Sequence, residues 1–251
     1  MNALELAAAQ SRWAHRNVGE KIRLLGGLLL LAVTLPPFPF APVIAIIAIV
    51  CAGLARVPWK LYAALVLAPA AFVVVGIAPL LVSLTADGLA WSPTGPIRAA
   101  SVVARSIAGI CCTMAFALTT PISELLAWLG KHGVSRSITY VAEVTYRMTG
   151  SLIATARAMN DAQARRLGHR TRRAMLHSMA SQAANLFVVA FTRARRLQTG
   201  VEMRADPGAM QVLSASRPRD GAFVARSAVV LVLLVASWGM YAWGKSKGWV
   251  L

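Results

Sequence analysis

From Leu61 to Leu84 the chain runs for 24 residues without a charged side chain. A helix needs roughly 20 apolar residues to cross a bilayer, so this run reads as a membrane span. Ile97 to Thr120, with Arg105 inside it, and Phe223 to Trp243 repeat the texture. Composition agrees: 57% of the 251 residues are apolar and 14% are charged, against about 25% charged in a typical soluble domain. Soluble globular classes are therefore disfavoured. The 26 Lys and Arg outnumber the 9 Asp and Glu, for a formal charge of +17, which points to an integral membrane protein with a basic non-membrane part. Nucleic-acid binding is the weaker reading of that charge, and no nucleic-acid partner is expected.

Met1 to Arg23 holds no apolar stretch of the kind a cleaved signal peptide carries, so it is expected to persist. Arg12, Arg16, Lys21 and Arg23 precede a short apolar block, Leu24 to Leu35. Pro36-Pro37-Phe38-Pro39-Phe40-Ala41-Pro42 follows, then a second block, Val43 to Ala55, then Arg56 and Lys60. Two short crossings joined by an uncharged proline turn put all these bases on one side, as the positive-inside rule favours over one broken helix. Thr85 to Pro96 has one acid and no base and reads as a turn-rich outer loop, with Trp91 at interface depth. Trp238, Tyr241 and Trp243 close the last span as an aromatic belt. The result is five crossings from a cytoplasmic N-terminus, with Lys245 and Lys247 outside against the trend. Arg105 lies about 13 Å along its helix from Pro96. A midplane charge costs about 2.5–3.5 kcal/mol, so Arg105 is expected to face other helices or to snorkel.

After Thr120 the texture changes. Thr120-Pro121 reads as an N-cap and a first-turn proline, and Ile122, Leu125, Leu126 and Leu129 mark a short amphipathic helix closed by Gly130 and Gly133. Residues 136–200 are rich in Ala and predict two long helices broken near Gly168 to Thr171. Ser178 to Thr192 is apolar for only 15 residues and is flanked by Arg173 and His177 before it and by Arg193, Arg195 and Arg196 after it. Bases at both ends argue against a crossing, so this helix is expected to lie along the inner face or against the other helices. The domain reading is 1–120 for the N-terminal spans, 121–222 for the inner-face helices and 223–251 for the last span. Arg157, Asp161 and Arg165 share one helix face, and Arg166, Arg170 and Arg173 another. Composition leaves two roles open for these arginines, anchoring to anionic lipid or docking to protein.

No catalytic constellation emerges. Gly239 to Ser246 spells GxxxxGKS, but a P-loop needs a strand feeding it and a helix after it, and here the motif ends a membrane segment. His15, His132, His169 and His177 are scattered. Glu124, Glu143, Asp161, Glu202 and Asp206 sit among bases rather than in acid pairs. Cys51, Cys111 and Cys112 lie inside apolar blocks and are expected to pack as small apolar residues.

The layout resembles the transmembrane T component of energy-coupling factor transporters, in particular the cobalt/nickel branch known as CbiQ. The likeness rests on the basic stretch before a split apolar pair, on Thr119-Thr120-Pro121 with its Glu-Leu-Leu helix, on Tyr146-Arg147, and on two arginine signatures on long inner helices. The family's signatures are Ala-Arg-Gly-like motifs that dock into two ATP-hydrolysing subunits. Carried over, the first falls on Ala164, Arg165 and Arg166, the second on Met203, Arg204 and Ala205. The sequence departs from the pattern: the glycine after arginine is Arg166 or Leu167 in the first, leaving Arg165 and Arg166 as alternatives, and Ala205 in the second.

The resemblance implies an all-α integral membrane protein of about five transmembrane helices plus two long cytoplasmic-face coupling helices. It further implies a multi-pass subunit of a bacterial inner membrane that is no enzyme and holds no cofactor of its own. ATP and Mg would be bound by two ATP-binding cassette subunits, and cobalt or nickel by a separate substrate-binding membrane subunit. A vitamin-type (biotin) transporter and a non-transport scaffold with a basic lipid-binding platform are the alternatives.

Overall fold

The computed structural model describes residues 3–85, 88–91, 95–204 and 220–246. In chain order these form α1 (Ala3–Gln10), α2 (Val18–Lys21), a π-helical turn (Ile22–Gly26), α3 (Gly27–Thr34), α4 (Pro37–Leu54) and α5 (Trp59–Gly76). A 3-10 turn (Ala78–Leu81), β1 (Val82–Thr85), β2 (Gly88–Trp91), α6 (Gly95–Ala117), α7 (Ile122–Lys131), α8 (Arg136–Arg165), α9 (Arg172–Arg204) and α10 (Gly221–Ser246) follow. Two compact units result, Met1–Leu125 with Ala215–Leu251, and Leu126–Ser214.

Among the described residues the fold is all-α apart from one hairpin: β1 pairs antiparallel with β2, Val82 opposite Trp91 and Thr85 opposite Gly88. The expected outer loop thus starts as a short ladder, and the span expected to reach Leu84 ends its α-helix at Gly76.

Small residues let the helices of the first unit approach closely, as membrane bundles require. Ala32, Ala41, Ala48, Ala52, Ala108 and Ala115 are buried beside Leu28, Ile44 and Leu118. Cys51, Cys111 and Cys112 are buried free thiols in the same core. The outward surface is apolar too: Phe72 is 79% exposed and Met240 76%. A surface of that kind is stable against lipid rather than water.

Two polar contacts fix how α3 and α6 run. The Lys21 ammonium donates to the Thr119 carbonyl at 2.8 Å, and Arg105 Nη2 donates to the Leu35 carbonyl at 2.9 Å. Lys21 and Leu35 are 14 residues apart, as are Arg105 and Thr119, so the helices are antiparallel over about 21 Å. The end of α4 returns to the starting side, because the Arg12 N–H donates to the Ala55 carbonyl at 2.9 Å. The predicted hairpin therefore exists, but its proline turn lies level with Arg105, about 15 Å short of the start of α6. Arg105 meets the expectation of facing another helix, and it does so by capping the end of α3.

The start of α10 is held by residues some 200 positions away. Asp220 Oδ1 accepts from the Ala222 and Phe223 N–H groups, capping the helix, while Glu20 Oε1 accepts from the Asp220 N–H at 2.7 Å. Arg16 pairs with Asp220 at 3.3 Å and lies over the Phe223 ring, against which Trp13 packs edge-on. The Thr120 cap is not made: its hydroxyl is buried without a partner among the described residues, and Leu125 N–H bonds to the Pro121 carbonyl. Lys131 ends α7, and Gly133 turns the chain with a φ of 98°. Residues 239–246, the GxxxxGKS match, are helical within α10, which removes the loop a phosphate cradle needs.

Five helical segments among the described residues are long and apolar enough to cross a membrane: Pro37–Leu54, Trp59–Leu80, Gly95–Ala117, Arg172–Met203 and Gly221–Trp243. The number is the expected one and the membership differs. The first apolar block, divided among the π turn and α3, is not in the set. The helix expected along the inner face is, because α9 runs to 33 residues where its uncharged core is only 15.

Candidate functional site

Within Leu126–Ser214, α8 and α9 form an antiparallel hairpin. Gln182 Nε2 donates to the Ala156 carbonyl at 2.7 Å, and Arg193 reaches back to Ser151 and Thr155. Between Leu126 and Arg204 there are 13 Lys or Arg and 3 Asp or Glu. Arg157, Asp161 and Arg165 share a face as expected, yet no ion pair joins them among the described residues.

The turn between the helices is built by the end of α8. The Gly168 N–H bonds to the Gln163 carbonyl and the Leu167 N–H to the Ala164 carbonyl, with Leu167 left-handed at φ 59°. This double closure is the Schellman termination, whose left-handed residue is usually glycine. Gly168 then passes so close to α9 that a Cβ there would lie 2.6 Å from Ser178 Oγ, and that hydroxyl donates to the Gly168 carbonyl at 3.1 Å. Thr171 Oγ1 accepts from the Ala174 N–H and caps α9.

The two arginine signatures fall at opposite ends of this hairpin. Ala164 and Arg165 occupy the last turn of α8, and Arg166 is its C-cap; all three are exposed. Met203 is 81% exposed next to Arg204, the last residue of α9, and Ala205 lies outside the described residues. The 33 residues of α9 put about 48 Å between the ends. Each signature arginine sits at the C-terminal end of a helix, where the last carbonyls carry partial negative charge, a favourable place for a cation.

Sequence reasoning placed the break at Gly168 and named Leu167, Ser178 and Arg193 for other reasons, but it did not name Gln182 or foresee that Ser178, Gln182 and Arg193 stitch the hairpin. The spacing of Ser151 and Thr155 was a usable signal, since hydroxyls four residues apart share a helix face.

The fold and this hairpin define a multi-pass, nearly all-α membrane protein with a basic helical pair whose two helices each end at arginine. Residues 10–208 match the family model described as cobalt transport protein, CbiQ, and the chain belongs to that family. It is 42% identical over 218 residues to the cobalt transport protein CbiQ of Rhodobacter capsulatus, covering 86% of this chain and 88% of that one. It is 26% identical over 221 residues to the cobalt transport protein CbiQ of Salmonella typhimurium, covering 83% and 98%.

Proposed function

We propose that this chain is the transmembrane coupling subunit of an energy-coupling factor importer of cobalt or nickel ions. It would lie in a bacterial inner membrane with its N-terminus in the cytoplasm. In this reading α8 and α9 lie on the cytoplasmic face. The signature at Arg165 or Arg166 docks into one ATP-binding cassette subunit and that at Arg204 into another. Closure of the two ATPases on ATP moves the hairpin, and the hairpin reorients a separate membrane subunit that carries the ion. The chain itself performs no catalysis and holds no cofactor; ATP and Mg belong to the ATPases. Residues 121–222 form the coupling part, flanked by transmembrane parts 1–120 and 223–251.

The observation that carries this reading is the placement of the two signatures at the two ends of one antiparallel hairpin. About 48 Å between them suits two separate partners rather than one groove. The left-handed conformation of Leu167 favours Arg166 as the key arginine of the first signature. It puts the glycine of the family pattern at the position where glycine is least strained.

Alanine substitution tests the reading against lipid anchoring. Truncating an arginine seated in a protein groove typically costs 2–5 kcal/mol, whereas each base on an anionic membrane contributes about 1 kcal/mol. Arg204→Ala and Arg166→Ala should each release an ATPase subunit or abolish transport, and Arg173→Ala should do little. Equal, mild effects at all three positions would refute docking.

A further inference from the structure

The geometry points to Arg193 as the residue that locks α9 to α8, so that the two arginine signatures move as one body. This inference rests on the coupling role proposed above and assigns a positioning residue within it.

Such a lock is needed because the hairpin has almost no apolar core. Among the described residues of α8 and α9 only Thr139 and Ser178 are buried. Polar cross-links therefore carry more of the registration than they would in a packed bundle. Those seen among the described residues are Ser178 to Gly168 at the turn, Gln182 to Ala156 further along, and Arg193 to Ser151 and Thr155. Of these the Arg193 link is nearest to Arg204.

The chemistry of that link is well matched. Arg193 Nη1 donates to Ser151 Oγ at 2.7 Å, and Nη2 to Thr155 Oγ1 at 3.3 Å. Ser151 Oγ spends its own hydrogen on the Met148 carbonyl and Thr155 Oγ1 on the Ser151 carbonyl. Each hydroxyl therefore meets the guanidinium as an acceptor. A guanidinium has five donors and no acceptor, and its planar fork spans two hydroxyls one helical turn apart, which a lysine ammonium would not do with the same geometry.

The position sets the mechanical consequence. From Arg193 to Arg204 the arm of α9 beyond the lock is 11 residues, about 16 Å. Without the lock, the nearest of the remaining cross-links is Gln182, and the arm grows to 22 residues, about 33 Å. Motion imposed at Arg204 would then bend α9 instead of moving α8.

The test uses the whole complex in proteoliposomes and reads ATP hydrolysed per cobalt ion imported. Arg193→Ala should raise that ratio at least threefold while both ATPases still co-purify. Ser151→Ala with Thr155→Ala should do the same without touching the arginine, and all three changes together should be no worse than Arg193→Ala alone. Arg193→Lys should fall between. In the same samples, amides of residues 194–203 should exchange about three- to tenfold faster in Arg193→Ala. If Arg204→Ala uncouples transport while the Ser151/Thr155 pair and Arg193→Ala keep the wild-type ratio, the lock is refuted and the docking reading survives. If Arg204→Ala also keeps the wild-type ratio, the docking reading fails and the lock falls with it. Should Arg193→Ala not assemble, the Ser151/Thr155 pair decides alone: an unchanged ratio overturns the lock.

Discussion

Replacing Arg105 should move two measurements in opposite directions. Leu35 is 5% exposed, and its carbonyl, at the end of α3, accepts a charge-assisted hydrogen bond from Arg105 Nη2 at 2.9 Å. Pro36, Pro37, Pro39 and Pro42 supply no N–H groups, so the turn is poor in donors where bilayer depth demands them. Arg105→Met removes a bond to a charged donor, about 1.5–3 kcal/mol. The same change removes a charge that costs about 2.5–3.5 kcal/mol during insertion. That cost is present in both the folded chain and the unfolded chain in the membrane, so it cancels from folding stability and appears only in insertion. SDS titration in mixed micelles should show Arg105→Met less stable by about 1.5–3 kcal/mol, with Arg105→Lys recovering part of the loss. An insertion assay of the isolated Ile97–Thr120 segment should show Arg105→Met inserting better. Unfolding of Arg105→Met at the wild-type SDS fraction would refute the capping argument.

Leu167→Gly should stabilise the end of α8 by up to about 1 kcal/mol, since a left-handed non-glycine residue costs roughly 1–2 and glycine gives part of that back as chain entropy; slower amide exchange at Gly168 reads it. Gly168→Ala should weaken the hairpin by about 1–3 kcal/mol, and Ser178→Ala in the same chain should relieve part of that by removing the clashing hydroxyl; thermal unfolding of the two variants compares them. Asp220→Ala should cost about 0.5–2 kcal/mol through the lost cap, while Asp220→Asn should cost little because the exposed ion pair with Arg16 is worth little; the same titration separates them. Cysteines placed at Thr171 and Thr199 should react with an impermeant label from the same side of the membrane.

Much of the architecture was legible because it follows from residue type alone. The uncharged runs announce spans, the cysteines lie where apolar residues belong, and the break at Gly168 to Thr171 was visible as punctuation in an alanine-rich stretch. What was not legible depends on neighbours distant in sequence. The depth of the proline turn is set by the register of α3 on α6, so a partner for Arg105 could be expected and Leu35 could not be named. The strand pair at Val82 to Trp91 has no alternation strong enough to override its loop-like composition. Thr120 looks like a cap in sequence, yet the fold buries its hydroxyl. A left-handed leucine is a local exception that helix–helix closure imposes, and no residue pattern in the sequence announces it.

The same-side outcome for Thr171 and Thr199 turns on what α9 would carry with it. By length and composition α9 could cross a membrane, but it does not stand alone. The Gln182 and Arg193 contacts put its apolar middle beside the part of α8 beyond Ser151, where Arg157 and Asp161 lie. A crossing by α9 would take those two charges to bilayer depth, at about 2.5–3.5 kcal/mol each on insertion scales, with no ion pair between them to offset the cost. The 15 uncharged residues from Ser178 to Thr192 extend about 22 Å, short of a hydrocarbon core of about 30 Å. A crossing would also leave bases on both faces, Arg170 to Arg173 on one and Arg193 to Arg196 on the other, against the positive-inside trend. Lying along one face incurs none of these costs, and it keeps both arginine signatures where a soluble ATPase could reach them.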